Sequence, residues 1–277
     1  MEIIKNIYTW QKTRAALTTD KTLGVVMTMG ALHAGHLHLI QQSQQDNDYT
    51  LITLFVNPTQ FNNQDDLKTY PNTLAKDMLL LKKMDVDFVL APTAKAMYPD
   101  DYCYQISEKS LSKILCGQSR PGHFAGVLTV VMKFLQLAQA DRAYFGEKDY
   151  QQYKLIENMV NAFFIPTEII SCATVRDDKG LAYSSRNFLL NQCGLQQAYQ
   201  FAQIIRRHKN IDMVKAQLHA HRIEIDYLQE HFGRRFVAVI INGVRLIDNI
   251  SLDAIDDEGK AIKKESKIIN ARLKKNI

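Results

Sequence analysis

Neither a GxxxxGK[ST] loop nor a GxGxxG turn occurs anywhere in the 277 residues, which excludes a P-loop and the dinucleotide fingerprint as ways of holding phosphate. The four cysteines, Cys103, Cys116, Cys172 and Cys193, are scattered and form no CxxC; they read as reduced thiols of a cytoplasmic protein. No apolar run reaches transmembrane length, and the start, MEIIKNIYTWQK, lacks a signal-peptide core and a small-residue cleavage site, so neither a membrane nor secretion is expected. Positive charge is also scarce where a nucleic-acid surface would need it. Of 34 Lys and Arg, seven lie in residues 260–277 with one of the 29 Asp and Glu, which leaves the body with 27 cations against 28 anions. A net +5 gathered in a tail does not make a general polyanion surface, and no nucleic-acid partner is expected.

The most informative stretch is residues 25–40, VVMTMGALHAGHLHLI. Val25 to Met29 form a β-branched apolar run of the kind that makes a buried parallel strand. After the turn at Gly30, His33-Ala34-Gly35-His36 leads into the apolar positions of a helix. Unpaired amides and the helix dipole make such a junction an anion site. Gly35 lets a phosphate approach the backbone, and two imidazoles add directional donors. An HxxH pair is more often two satisfied cap residues, or half of a metal site, but no Cys, Asp or Glu lies at ligand spacing nearby. The preceding strand and the two glycines favour a nucleotide phosphate.

Taken in order, residues 1–20 suggest a lead-in helix, and a strand at 24–29, a helix at 36–45 and a strand at 49–56 make a first βαβ unit. Asn57-Pro58-Thr59-Gln60 follows directly, which aims Asn57 and Gln60 at the crevice that the histidines face. Asn72 or Thr73 caps a helix over 74–84 with Asp77 in its first turns, and Val86 to Leu90 is a further strand. Tyr102 to Ile106 reads as a short strand, and Arg120-Pro121-Gly122-His123-Phe124 as a basic turn before a helix over 125–138. The strand 141–145 then passes through Gly146-Glu147-Lys148-Asp149 into a helix over 150–163, repeating the first geometry with Lys148 as a point charge and Gln152 one turn on. A β-rich run at 167–175 precedes a loop, and Ser184-Ser185-Arg186 offers two hydroxyls and a guanidinium for phosphate oxygens. Helices at 194–208 and 212–220 and strands at 223–228, 236–241 and 245–247 complete a small α+β unit.

Six of these motifs, in register, resemble the pantothenate synthetase (pantoate:beta-alanine ligase) family: Met29 to His36, Phe55 to Phe61, Arg120 to Phe124, Phe145 to Gln152, Asp178 to Asn187 and Arg245 to Asn249. The resemblance implies that ATP and pantoate form pantoyl adenylate and pyrophosphate, after which the amine of beta-alanine displaces AMP. It implies that His33 and His36 hold the ATP phosphates, with His36 as proton donor, and that Lys148, Ser184, Ser185 and Arg186 neutralise the triphosphate. Met29, Gly30, Ala31, Leu32, Ala34, Gly35, Gly146, Glu147, Asp149, Val175 and Tyr183 would line the nucleotide site. Gln60 and Gln152 would bracket pantoate, with Gln60 also near beta-alanine, Met29 as an apolar wall, and Asn57 and Arg120 as further substrate contacts. Asp77 would contact Mg2+, and the family would make the chain a homodimer.

The chain departs from the family at Met27, where a proline is usual, at Asn72, where an arginine is usual, and at Tyr183, where a smaller aliphatic residue is usual. The segment between Asn187 and Arg245 is short, and the residues after Asn249 extend past the family's end. The expectation is an α/β fold: a doubly wound parallel-sheet, Rossmann-like, HxGH nucleotidyltransferase-type domain over 1–176, a smaller α+β lid domain over 177–255, and a basic tail over 256–277. Two other functions compete with an AMP-forming ligase. One is an HxGH nucleotidyltransferase acting on a phosphorylated acceptor, and the other a nucleotide-sensing or RNA-binding module that uses the tail.

Overall fold

Apolar runs without alternation become strands covered on both faces, and the first unit is built from them. The computed structural model describes residues 1–255 apart from Thr19 and Asn72, so the expectations placed on Asn72 and on the tail lie outside the described residues. Two units make it up. The first comprises Met1–Leu32, His36–Gly146 and Gln151–Cys172; the second comprises His33–Gly35, Glu147–Tyr150 and the described chain from Ala173.

In the first unit β1 (Glu2–Ile4), β2 (Leu23–Thr28), β3 (Tyr49–Leu54), β4 (Phe88–Leu90), β5 (Arg142–Gly146) and β6 (Glu168–Cys172) form one parallel sheet in the order β1-β4-β3-β2-β5-β6. Val25, Val26, Leu51, Ile52, Val89, Leu90 and Ala143 are fully buried in it. The chain winds outward from β2 through β3 to β4, then returns to add β5 and β6 on the other side. The strand order therefore reverses between β2 and β5. In doubly wound sheets the carboxyl ends at that reversal form the ligand crevice.

The start of the chain differs from expectation. Glu2, Ile3 and Ile4 pair with Phe88, Val89 and Leu90 as a sixth strand, and the helix is confined to Ile7–Ala16, capped by Asn6, whose Oδ1 accepts from Thr9 N at 3.0 Å. Three residues at an edge are too few to show a period, which is why the strand reads as helix. Trp10 on that helix is fully buried, with Nε1 donating to the Leu137 carbonyl at 2.7 Å. Residues 102–106 form no strand, because Asp101 and Tyr102 take positive φ of 51° and 64° and break the extended course.

In the second unit β7 (Glu224–His231), β8 (Arg234–Ile241) and β9 (Val244–Ser251) form an antiparallel meander. Asn242-Gly243 joins β8 to β9 with both φ positive, 50° and 75°, the backbone that a two-residue hairpin requires. The helices Gln192–Arg207 and Ile211–Ala220 lay Phe201, Ala202, Ile205, Val214 and Leu218 on Val237, Val239 and Ile241. This is the small α+β unit that the sequence suggests, with each strand longer than its apolar kernel.

Candidate active site

The chain leaves β2 through a turn that is held from behind. Gly30 and Ala31 have φ of 81° and 50°, and the amide of Gly30 donates to Thr28 Oγ1 at 3.2 Å. The amides of Ala31 and Leu32 donate to Asp77 Oδ2 and Oδ1, both at 2.9 Å, and Thr73 Oγ1 donates to Asp77 Oδ2 at 2.9 Å. Asp77 is 4% exposed, so this is a buried carboxylate whose two oxygens serve three donors. The helix Ala34–Asp46 starts two residues later, with His36 half-buried in its first turn.

Beyond β3, the 3-10 turn Pro58–Gln60 is fastened at side chain and main chain alike. Asn57 is 1% exposed; its Nδ2 donates to Gln60 Oε1 at 3.1 Å and to the Gly126 carbonyl at 3.2 Å. The Gln60 carbonyl accepts from His123 Nδ1 at 2.8 Å and from Arg120 Nη2 at 3.2 Å, while Arg120 Nη1 meets His123 Nε2 at 3.0 Å. A carbonyl only accepts and a guanidinium only donates, so His123 carries its proton on Nδ1. Gly126 is required here: a Cβ would stand 2.4 Å from the Thr59 carbonyl oxygen. Gln151 is buried and fixes the approach to Arg120, donating to the carbonyls of Leu111 and Ile114 and accepting from Cys116 N. Its neighbour Gln152 is half-buried in the first turn of the helix Tyr150–Ala162. A Cβ on Gly146, at the end of β5, would meet no atom within 4 Å, so the backbone is open there.

In the second unit, β9 anchors both segments that carry cations. Asn249 Nδ2 donates to the carbonyls of Glu147 and Lys148 at 2.8 and 2.9 Å, and Asn249 Oδ1 accepts from Arg234 Nε at 2.7 Å. Arg234 also reaches Glu147 Oε2 at 3.4 Å and lies 4.4 Å over the Tyr150 ring. The Lys148 side chain is 18% exposed, with Nζ 3.7 Å from Asp149 Oδ2. One residue back along β9, Asp248 forms a two-point pair with Arg176, at 2.5 and 2.9 Å. Burial opposes the charge on Arg176, but Asp248 outweighs it and holds the guanidinium above its ordinary value. Arg176 leads into the loop at Asp177, whose Oδ1 accepts from the amides of Lys179 and Leu181, and then into Tyr183, whose amide donates to the buried Val175 at 3.1 Å. Ser184 caps the 3-10 turn Ser185–Leu189, its Oγ accepting from Arg186 N at 3.3 Å, and that turn packs on β9.

His33 and Gly35 belong to this second unit. His33 Nδ1 accepts from Gly35 N at 3.1 Å, which puts the ring proton on Nε2, and the ring stacks on Tyr183 at 6.4 Å and 20°. A Cβ on Gly35 would come within 2.9 Å of that imidazole, so the glycine makes room for the His33 side chain. Burial raises the Tyr183 hydroxyl above its ordinary value, which keeps the ring neutral.

The first unit thus brings together Met29, Asn57, Gln60 and Arg120, with Gln60 Nε2 3.1 Å from Met29 Sδ. The second brings together His33 with Tyr183, and Lys148 with the Ser184–Arg186 segment through β9. Thr73, Tyr98, His123, Gln151, Arg234 and Asn249 take part without having been singled out as site residues. His123 and Asn249 stand inside motifs already noted; Tyr98 has no local signal. A metal ion is a poor fit at Asp77, whose oxygens face two amides and a hydroxyl that a cation would have to displace. Among the described residues no group of three or more His, Cys, Asp or Glu is arranged to hold one.

Comparison with known proteins gives the family. The family model for pantoate-beta-alanine ligase matches residues 2–251. The pantothenate synthetase of Legionella pneumophila (strain Corby) is 48% identical over 252 residues, 91% of this chain and 100% of its own. That of Coxiella burnetii (strain Dugway 5J108-111) is 46% identical over 249 residues, 90% and 96% of the two chains. Among solved structures, the pantoate-beta-alanine ligase of Francisella tularensis complexed with beta-gamma ATP and beta-alanine superposes with a TM-score of 0.88 at 42% identity, covering 91% of this chain and 98% of that one. Pantothenate synthetase of Thermus thermophilus gives 0.84 at 33% identity, covering 91% and 99%. With six motifs in register and a match along nearly the whole described chain, the protein belongs to the pantoate-beta-alanine ligase family.

Proposed function

We propose that the ATP-dependent joining of pantoate to beta-alanine by this chain runs through a pantoyl adenylate. In the first step the pantoate carboxylate attacks the α-phosphorus and pyrophosphate leaves. In the second the beta-alanine amine attacks the acyl carbon, loses a proton, and AMP leaves. Neither step needs a covalent enzyme intermediate, so positioning and charge stabilisation account for the catalysis.

The observation that carries the reading is the turn after β2, at the strand-order reversal, which delivers His33 and His36 to a helix start. Asp77 takes up the amides of Ala31 and Leu32, so phosphate recognition falls to the two imidazoles and the helix start. His33 offers Nε2–H to a phosphate oxygen because Gly35 occupies Nδ1. Lys148, Ser184, Ser185 and Arg186 take the charge of the departing pyrophosphate, and Gly146, Glu147, Asp149, Val175 and Tyr183 line the nucleotide. Gln60 and Gln152 hold pantoate against Met29, with Arg120 and His123 bracing the Gln60 backbone. Mg2+ would accompany the triphosphate, with Asp77 holding the turn and not the ion. The active form is a cytoplasmic homodimer.

AMP release measured with pantoate and beta-alanine supplied separately and together tests the scheme. Pantoate alone should give one burst of enzyme-bound adenylate and pantoate-dependent exchange of pyrophosphate into ATP, with turnover only when beta-alanine is added. Exchange that required a phosphorylated acceptor instead would favour a nucleotidyltransferase.

A further inference from the structure

The Asn57 carboxamide uses all four of its hydrogen-bonding positions inside the protein. Its Nδ2 donates to the Gly126 carbonyl at 3.2 Å and to Gln60 Oε1 at 3.1 Å; its Oδ1 accepts from Tyr98 Oη at 2.7 Å and from Thr59 Oγ1 at 3.0 Å. The orientation follows from the partners alone. The Gly126 carbonyl has no hydrogen to give, so the Asn57 atom facing it must be the amide nitrogen. Its oxygen then faces Tyr98 and Thr59, and both are hydroxyls able to donate. The Gln60 atom that receives the second N–H must in turn be oxygen. The Gln60 NH2 group is left as the end that meets Met29 Sδ at 3.1 Å, a weak acceptor easily replaced by a ligand oxygen.

With every position filled, Asn57 has nothing to offer a substrate directly. We infer that Tyr98, together with the Gly126 carbonyl that sets which way the Asn57 amide faces, holds Asn57 so that Gln60 is kept as a hydrogen-bond donor. Tyr98 is thus a positioning residue which makes the acid site select an acceptor oxygen, a hydroxyl or carboxylate, at the Gln60 contact. This rests on the assignment of Gln60 to the pantoate site. Tyr98 suits the role because it is 4% exposed and held on several sides: rings of Tyr102 and Phe55 lie 4.5 and 6.4 Å away, and Lys133 Nζ stands 4.8 Å over its ring. It comes from the segment after the helix Ala94–Met97, 41 residues from Asn57, whose amide it orients.

The test is a double-mutant cycle on the full-length protein, using Tyr98→Phe, Gln60→Ala and the pair, with KM for pantoate and for ATP and kcat measured for each. Phenylalanine keeps the packing and removes one hydrogen bond, so Tyr98→Phe should raise the pantoate KM by about three- to tenfold, with kcat and the ATP KM within about twofold of the parent. In the Gln60→Ala background the same change should add nothing. A Tyr98→Phe protein with an unchanged pantoate KM, or with pantoate and ATP KM raised alike, or with its full effect persisting beside Gln60→Ala, would overturn the inference. A Gln60→Ala protein with normal pantoate KM would instead remove the assignment of Gln60 on which it stands. Melting temperatures of the three variants accompany the kinetics; a fall matched by loss of ATP binding would mark a purely structural role and count against the inference.

Discussion

In the first unit carboxylates hold backbone amides: Asp48 accepts from Thr22, Asp87 from Thr50 and Asp141 from Leu23 at the amino ends of the strands, and Asp77 does the same for Ala31 and Leu32 after β2. In the second unit guanidinium groups hold acceptors. Arg235, fully buried, donates to the carbonyls of His208 and Lys209 and to Glu230, and Arg176 clasps Asp248. Each unit presents what its anchors leave over. Taking up amides in the first leaves the His36 imidazole and the Gln60 carboxamide NH2 as its uncharged donors, whereas the second carries Lys148 on a segment fastened by Asn249 and holds an Arg–Asp pair that is neutral overall. The two designs should also fail differently, since carboxylates titrate in acid and guanidinium groups do not titrate at all in the working range.

The largest effect is expected in the second unit. Asp248→Ala leaves Arg176 buried and without its counter-charge, and breaking such a pair costs about 3–5 kcal/mol. Thermal or urea unfolding of the variant would show it, with ATP-dependent turnover falling as β9 loses its hold on residues 176–182. If Asp248→Ala unfolded within about 1 kcal/mol of the parent, the contrast between the units would lose its energetic half.

Asp77→Asn comes next. One oxygen remains to accept an amide while the new NH2 group opposes the other; turned towards Leu32 it leaves that amide unsatisfied, and turned towards Ala31 it leaves that amide only Thr73 Oγ1 at 3.0 Å, so the cost is at most about 1–3 kcal/mol. A fall in kcat/KM for ATP of about ten- to a hundredfold should follow, and raising Mg2+ should not restore it. Recovery at high Mg2+ would turn Asp77 into a metal ligand and make the first unit's anchor part of the chemistry.

How much of this could be read in advance depends on how local each feature is. The strands β2 to β5 show in the sequence because burial on both faces demands continuous apolar runs, and Val25-Val26, Leu51-Ile52 and Ala143-Tyr144-Phe145 provide them. β1 does not, because a three-residue edge strand has no period and acquires its identity only by pairing with β4, more than eighty residues on. The residues proposed to hold phosphate are legible because they are local: Gly30, His33, Gly35 and His36 fall within one strand-turn-helix junction. The side proposed to hold the acid is less so. Gln60 is evident, but what orients it comes from Tyr98, Arg120, His123 and Gly126, 38 to 66 residues away, and no pattern around Pro58 announces them. Asp77 shows the limit of a resemblance. The family likeness makes it a candidate for a magnesium contact, and nothing local in the sequence announces that its oxygens accept the amides of Ala31 and Leu32.

The smallest effect separates the units by pH. Asp48 is held at about 2, below the ordinary 3.8, by the hydrogen bond from Lys21 Nζ at 2.8 Å and then by the Thr22 amide at 2.9 Å. A carboxylate depressed by folding contributes stability above its unfolded value and loses that contribution as pH falls through its folded value. The loss therefore runs from about pH 4 down to about pH 2. Because Asp48 is exposed and its partner is a surface lysine, the effect is small and should shrink further in salt. Asp48→Asn should lower stability near neutrality and lose the difference from the parent below pH 2, whereas Arg235→Met in the second unit should keep most of its difference through the same acid window, because neither the guanidinium nor the His208 and Lys209 carbonyls it holds titrate there. Urea midpoints of both variants at several pH values would decide it. Parallel curves for the two would mean that carboxylate and guanidinium anchors respond to acid alike, and the distinction between the units would reduce to geometry.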